Sequence, residues 1–522
     1  MAGNEYELVL IGIYNPLPVE TTVSDIRLNI SDNSPLQIQL FQVGYMQIIK
    51  SSRWFCSSKG RWPDPLTSLP VDSGRQSGSS DAGFDIPLKD AITVPAGENR
   101  VFLLEIYLPP ETRKQATTIV TGFRTDQDET EDLTITVNPY SFDLPRVPSF
   151  ATAFKMPSGR ISKTHEKLSQ GAFDPAELQL AYFECMAEHR ISAYSPGYNR
   201  IQSVRSDNGE LQFDWSEYEQ LTGGLLDGTL FPELPPATSA RVPLPAENLD
   251  RDEMIQFYRE FAARARGNGW LDRMFYYLPD EPMRREYPEV REIATLIREA
   301  DPGIRTLATE PFTKHLAGYV DIWCPDIPVI GDSIRFLPLA FGPPKNVYLD
   351  RQWNPRPDRY RQRWSEGETA WFYTCTSAQY LDYPNLFIDS EAAYHRVIPW
   401  LAFRHGFSGL LYYDVLRSYV KDNDPWRSQY QFRSNGDGNL FYPGVPELPN
   451  VDSHKPVPSL RLKLLREGIE DYEYLSLYVA LCGQAEADEM AALIARKSLH
   501  WEHEMSALQA VRNRIAATIE AK

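Results

Sequence analysis

From about residue 149 to residue 414, strand and helix signals alternate, and this alternation constrains the fold of the chain more than any other feature. Strand signals fall at residues 150–155, 191–194, 304–309, 320–324, 347–349, 369–374 and 410–414, with another running into Asp280. Helical signals fall at 175–190, 251–267 and 391–405, and a short element is expected near 229–234. Strands separated by helices pair in parallel, because a parallel crossover needs a long connection and a helix supplies it. The number and length of these units fit one (β/α)8-type barrel. Barrels of this kind carry their chemistry at the carboxyl ends of the strands, so that is where candidate residues are sought.

One strand ends in Phe275-Tyr276-Tyr277-Leu278-Pro279-Asp280-Glu281-Pro282, an aromatic run that leads into two adjacent carboxylates closed by prolines. Neighbours on a regular strand point to opposite faces, so Asp280 and Glu281 can serve one ligand only where the strand ends and the backbone turns. Pro279 and Pro282 supply the turn. Each fixes its own φ, lacks an N–H, and biases the residue before it away from the helical region. Glu286, Val290, Ile293, Ala294, Ile297 and Arg298 then keep an amphipathic helical rhythm as far as Asp301-Pro302-Gly303, a helix stop. Strand, acidic loop and helix make one β/α unit. The plainer alternative is that Asp280 begins a turn or caps the helix and Glu281 is solvated.

Other strand ends carry suitable side chains: Glu310, Asp326, Tyr373, and the run Tyr412, Tyr413 and Asp414. Acids and aromatics converging at one end of a barrel make a sugar pocket, with ring faces packed on the apolar faces of the sugar. The candidate binding residues are Trp323, Trp371, Tyr373, Tyr413, Asp414, Trp426 and Glu310, and the catalytic candidates are Asp280 and Glu281.

The rest of the chain reads as a different architecture. Residues 6–14, 36–48, 100–108, 117–123 and 133–137 are short apolar or alternating runs between Pro, Gly, Asn and Asp clusters, which predicts a β-sandwich. Residues 73–83 are a Ser/Gly/Asp-rich surface loop, and 421–449 a long loop of the kind that is functional or disordered. Two closing helices are expected at 459–481 and 486–521, the first with Glu467, Glu470, Asp471 and Glu473 as a solvated or salt-bridged face. The fold class is therefore multidomain: a sandwich over 1–140, a proline-punctuated linker over 141–148, a (β/α)8-like barrel over 149–455, and C-terminal helices over 456–522 packed on the barrel.

Composition excludes several classes of function. Apolar residues at 42% with 12% aromatics sustain folded cores, and a net charge of −18 repels nucleic acid. The five cysteines are odd in number, far apart and without a C-x-x-C pair, so neither disulfides, a metal site nor a cofactor is indicated. No apolar run reaches the ~20 residues of a membrane helix. The first residues lack the basic and apolar parts of a signal peptide, which at face value reads as cytoplasmic.

Taken together, Asp280-Glu281-Pro282 after an aromatic strand, Trp371-Phe372-Tyr373-Thr374-Cys375, Pro384-Asn385-Leu386-Phe387-Ile388-Asp389, the run from Gly436-Asp437-Gly438 to Tyr442-Pro443-Gly444, and Arg461 with Glu467 through Leu475 resemble glycoside hydrolase family 123 over residues 149–481. Trp62-Pro63-Asp64-Pro65-Leu66 and Leu144-Pro145 resemble the β-sandwich that precedes the barrel in that family. The resemblance implies a retaining β-N-acetylgalactosaminidase with substrate-assisted catalysis, in which Asp280 polarises the acetamido group and Glu281 is the acid/base. Asn4 to Leu10 resembles the interior of the family's first sandwich strand region, which implies a missing natural amino terminus and, in that case, secretion in place of the cytoplasmic reading.

The residues carry a matching physical argument. A conventional retaining glycosidase places two carboxyl groups about 5 Å apart across the anomeric carbon, which adjacent residues do not easily straddle. Both can reach a 2-acetamido sugar if its own carbonyl oxygen attacks C1. Crowded carboxylates also push one pKa up, which predicts a protonated Glu281. Two alternatives stay open: a conventional glycosidase pairing Glu281 with a distant carboxylate such as Glu310 or Asp414, and a non-catalytic carbohydrate-binding protein.

Overall fold

The computed structural model describes residues 1–522 other than 31–33, 53–57, 70–83, 113–114, 127–131, 197–199, 207–210, 331–366, 381, 421–422, 450 and 452. The strand expected at 347–349, the loop at 73–83 and Cys56 lie outside the described residues.

Eight antiparallel strands in two sheets make up the amino-terminal part. One sheet has the order Glu5–Tyr14, Asn99–Leu108, Gln37–Ile48, Gly60–Leu69, and the other Phe84–Val94, Thr21–Ile30, Thr117–Thr125, Leu133–Val137. Alternation dictates what they bury: Val23, Ile26 and Leu28 from one sheet meet Phe102, Leu104 and Ile106 from the other in a common core. Three of these strands escape the sequence pattern. Thr21–Ile30 has a register shift between Val23 and Asp25 that breaks its alternation, and Gly60–Leu69 and Phe84–Val94 carry prolines at positions 63, 65 and 87.

Among the described residues from 151 onward, the two largest sheets are parallel. Five strands run in the order Ala240–Arg241, Met274–Tyr277, Arg305–Ala308, Ile322–Trp323, Thr369–Ala370, and three in the order Phe372–Tyr373, Gly409–Tyr412, Ala151–Phe154. The sheets share one chain segment, interrupted at Trp371. At the other side Phe154 bridges Ala193 in parallel, and Arg241 donates its N–H to the carbonyl of Tyr194 at 2.7 Å. Side chains from these strands, among them Ala153, Tyr194, Phe275, Leu307, Ile322, Trp371 and Leu411, pack into one apolar cluster. Gly409 is required there, because a Cβ would lie 2.7 Å from the Trp371 indole.

The helices Pro175–Glu188, Arg251–Gly267, Tyr287–Ala300 and Ala393–His405 fall where the sequence periodicity predicts them. Residues 229–234 form turns. The expected helix at 486–521 is two, Gln484–Ile494 and Met505–Glu520, separated by a small hairpin of Ala495–Lys497 with His500–Trp501.

Leu460–Cys482 is the helix on which the parts meet. Glu467, Glu470, Asp471 and Glu473 are buried, which corrects the expectation of a solvated face; the salt-bridged alternative is what the structure contains. Asp471 accepts from Arg396 Nε at 2.7 Å and Nη2 at 2.9 Å and from Trp400 Nε1, Arg512 pairs with Glu467, and Glu473 accepts from Ser149. Gly468 lets this helix approach Ala393–His405, since a Cβ would sit 2.3 Å from the Arg396 carbonyl oxygen. Across to the sandwich, Arg461 donates from Nε and Nη2 to the two oxygens of buried Asp64, both at 2.8 Å.

Candidate active site

Met274–Tyr277 stops before the prolines, and Asp280 and Glu281 follow in the turn, exposed. Glu281 adopts φ of +42°, a left-handed conformation that costs a non-glycine residue on the order of 1–3 kcal/mol and clusters at functional sites. This turn brings both adjacent carboxylates to one cleft of about 240 Å3. Its lining is Tyr277, Asp280, Glu281, Thr309, Tyr373, Cys375, Thr376, Leu411, Tyr413, Phe432 and Asp437.

Each acid is held by specific donors. Asp280 Oδ1 accepts from Tyr277 Oη at 2.8 Å and from Thr309 Oγ1 at 2.9 Å. Glu281 Oε1 accepts from Tyr373 Oη at 2.5 Å, and its backbone N–H donates to Thr309 Oγ1 at 2.8 Å. Opposite them Asp437 accepts from Tyr413 Oη at 3.0 Å, and Tyr412 Oη accepts from the Gly438 N–H at 2.7 Å. The loop bearing Asp437 is clamped from beneath, where Arg461 Nη1 donates to the carbonyls of Leu386, Gly436 and Asn439.

The buried acids near the pair are pushed toward neutrality. Burial, then the charge of Glu281, raises Glu310 to about 8. Burial above all raises Asp326 to about 7, with Glu281 adding to it, and burial raises Asp437 to about 7. Buried acids with pKa values raised in this way leave the site less negative near neutral pH than its composition suggests.

Of the residues predicted from sequence, the cleft brings together Asp280, Glu281, Tyr373 and Tyr413. Glu310 is buried beside it, within electrostatic reach of Glu281. The other candidates are committed elsewhere. Trp323 packs on Phe312 and donates to Glu368, Trp371 fills the cluster between strands against Phe275, and Trp426 stacks near Tyr442 and donates to the Pro443 carbonyl. Asp414 is ion-paired to Arg160 at 2.7 Å and accepts the Leu416 N–H. Thr309, Tyr277, Phe432 and Asp437 were not singled out. Thr309 directly precedes Glu310, Tyr277 ends the strand three residues before Asp280, and Asp437 sits between two glycines, the signal that could have found it.

Cys185, Glu188 and His189 place possible metal-ligand atoms within 4.8 Å of one another on one helical turn outside the cleft lining. Burial and the cations Lys463 and Arg466 depress the His189 pKa, so positive charge already faces this group. Among the described residues no helix is long and apolar enough to cross a membrane.

Comparison with curated proteins gives no match. Among solved structures, a family 123 glycoside hydrolase from Clostridium perfringens, analysed for the details of glycolipid glycan hydrolysis, covers 100% of this chain and 93% of its own, at 14% identity and a TM-score of 0.59. A family 39 glycoside hydrolase from Bacteroides cellulosilyticus covers 87% of this chain and 82% of its own at 12% identity, but with a TM-score of 0.30 that likeness is too loose to bear on the fold. Residues 245–478 match the family model for the glycoside hydrolase 123 catalytic domain, and they contain every residue lining the cleft. Residues 245–478 are therefore identified with the catalytic domain of glycoside hydrolase family 123, and the chain is a glycoside hydrolase.

Proposed function

We propose that the chain is a retaining, exo-acting β-N-acetylgalactosaminidase that hydrolyses terminal β-GalNAc by substrate-assisted catalysis. The observation that carries the reading is the adjacency of Asp280 and Glu281 on one turn, lining one cleft. In the first step the acetamido carbonyl oxygen attacks C1 as the bond to the aglycone oxygen breaks, and Glu281 gives its proton to that oxygen. Asp280 accepts the acetamido N–H and balances the charge that develops on the oxazoline-like ring. In the second step water attacks C1, Glu281 takes the water's proton, and the ring opens with net retention. A cleft of about 240 Å3 suits one sugar residue and so favours exo action.

The conventional alternative has weaker support. Glu310, held mostly protonated near pH 7 by a pKa of about 8, is a poor nucleophile, and Asp414 is tied to Arg160. The intact acid pair with its donors also speaks against a silent binding module, which has no use for a general acid. On the fold, the bridges at Ala193 and Asp326 and the segment shared at Trp371 support reading the two parallel sheets as parts of one (β/α)8 barrel over 149–455, between a sandwich over 1–140 with a linker at 141–148 and C-terminal helices over 456–522. The glycolipid glycans of the Clostridium perfringens relative suggest the substrate class. Aryl β-glycosides of GalNAc, GlcNAc, galactose and glucose assayed side by side test the function. Preference for the acetamido sugars with retained product configuration supports it, and turnover of galactose or glucose substrates alone excludes it.

A further inference from the structure

Tyr277 pairs with Leu307 in parallel register, and the Leu278 N–H donates to the Leu307 carbonyl at 2.9 Å. Two residues further along, this register carries Thr309 to the level of residue 279, just below the acidic turn. Its side chain is buried, and its hydroxyl is used twice. A backbone N–H can only donate, so the Thr309 oxygen accepts there and its one hydrogen is left for Asp280. Glu281 N–H donates to Thr309 Oγ1 at 2.8 Å, and Thr309 Oγ1–H donates to Asp280 Oδ1 at 2.9 Å. We infer that Thr309 is a positioning residue for this hydrolase, whose single hydroxyl holds the left-handed backbone of Glu281 and the carboxylate of Asp280 in one fixed relation. The inference rests on the roles proposed above for Asp280 and Glu281.

Three features make the hydroxyl more than a packing group. Glu281 sits at φ of +42°, a conformation that persists only where its surroundings determine it, and the bond to Thr309 is a polar restraint acting directly on that residue's own N–H. A donor that itself accepts from an N–H is polarised, which strengthens its bond to Asp280. Tyr277 and Thr309 both donate to Oδ1, so among the described residues neither occupies Oδ2, the oxygen this arrangement assigns to the N–H of the substrate. Threonine suits the position better than serine, because its branched Cβ restricts χ1.

The test compares T309V, T309A, T309S, D280N and the T309V/D280N double variant on the aryl glycoside that wild type cleaves fastest. A wrong sugar assignment then cannot be mistaken for a wrong positioning role. Loss of the hydroxyl in T309V or T309A should lower kcat about 10–100-fold and leave KM within about threefold, since the misplacement is felt in the transition state. T309S should recover activity to within about threefold of wild type. In the D280N background T309V should cost far less than alone, because the two residues act as a unit. Melting curves identify any variant that fails to fold, and T309A replaces T309V in the cycle in that case. The inference is overturned if the hydroxyl-free variants keep kcat within about twofold, if T309S loses as much as T309V, or if the losses of T309V and D280N simply multiply. Failure of a thiazoline to inhibit wild type would instead remove the assisted mechanism and leave this comparison readable.

Discussion

Tyr373 donates its hydroxyl to Glu281 Oε1 at 2.5 Å in the lining of the cleft, from a strand 92 residues further along the chain. The phenol is buried, and burial raises its own pKa, so it remains a donor through the physiological range. The contact fixes the direction in which Glu281 presents its proton. Tyr373→Phe keeps the ring and removes the restraint. It is expected to lower kcat by about tenfold with little change in KM, the signature of an interaction that acts on the transition state. Steady-state kinetics on the preferred aryl glycoside check this, and a rise in KM at constant kcat would place Tyr373 in ground-state binding.

Glu281→Gln tests the acid itself. A proton is needed only when the departing oxygen is basic, so the loss should be about 10²–10⁴-fold on a substrate with a poor leaving group and much smaller on an activated aryl glycoside. Equal losses on both would remove the assignment.

How far the sequence carried this site is clear from particular residues. The turn at Asp280 and Glu281 was legible because prolines and adjacent acids punctuate a short aromatic strand, and Tyr373 because it ends another. Trp323, Trp371 and Trp426 suit a sugar by type, yet the first two are buried in the core and the third packs half-buried against Tyr442, and a single sequence does not say which face of a strand end is the interior. For the acidic run on Leu460–Cys482, the sequence left a solvated and a salt-bridged face equally open for a related reason. Its partners Arg190, Arg396 and Arg512 come from elsewhere in the chain, and only the fold brings them together. In the sandwich, bulges and prolines erased the alternation that marks a strand, and near the carboxyl terminus the Ala495–Lys497 hairpin interrupts the helix without glycine or proline to announce it.

The pair Asp64 and Arg461 couples stability to the site. Asp64→Ala leaves a buried guanidinium without its carboxylate, which costs about 3–5 kcal/mol in comparable cases. Arg461 also holds the carbonyls of Gly436 and Asn439 on either side of Asp437, so activity should fall at temperatures where the variant is still folded. Thermal melting and kcat measured well below the transition check both halves. A variant that melts early but is fully active when folded would detach the clamp from the cleft.

Glu310 sets a pH dependence of stability. Its folded-state pKa of about 8, raised by burial and by Glu281, lies above the ~4.3 of an unfolded glutamate. The folded chain therefore keeps a proton that the unfolded chain loses between those values. Stability from this group is full below about pH 4 and is lost as the pH rises through about 8. Glu310→Gln stays neutral throughout, so between pH 5 and pH 8.5 its melting temperature should fall by about 2–5 °C less than that of wild type. Parallel melting curves across this range would show that Glu310 is ionised in the folded state.

The adjacency of Asp280 and Glu281 makes its sharpest prediction about the intermediate. If the acetamido oxygen is the nucleophile, a thiazoline mimic of the cyclised sugar should inhibit competitively, because it presents the shape and charge that the cleft stabilises beyond the ground state. Asp280→Asn conserves volume and removes the negative charge facing that cation, so it should weaken the inhibitor by about 10²-fold or more while the melting temperature stays close to that of wild type. Glu281→Gln should weaken it differently, since its partner is the departing oxygen, which the mimic lacks. The opposite outcome is a 2-fluoro sugar trapped covalently on the protein. That adduct would place the nucleophile on a side chain, and mapping it to Glu310 or Asp414 would establish the conventional two-carboxylate mechanism in place of the assisted one.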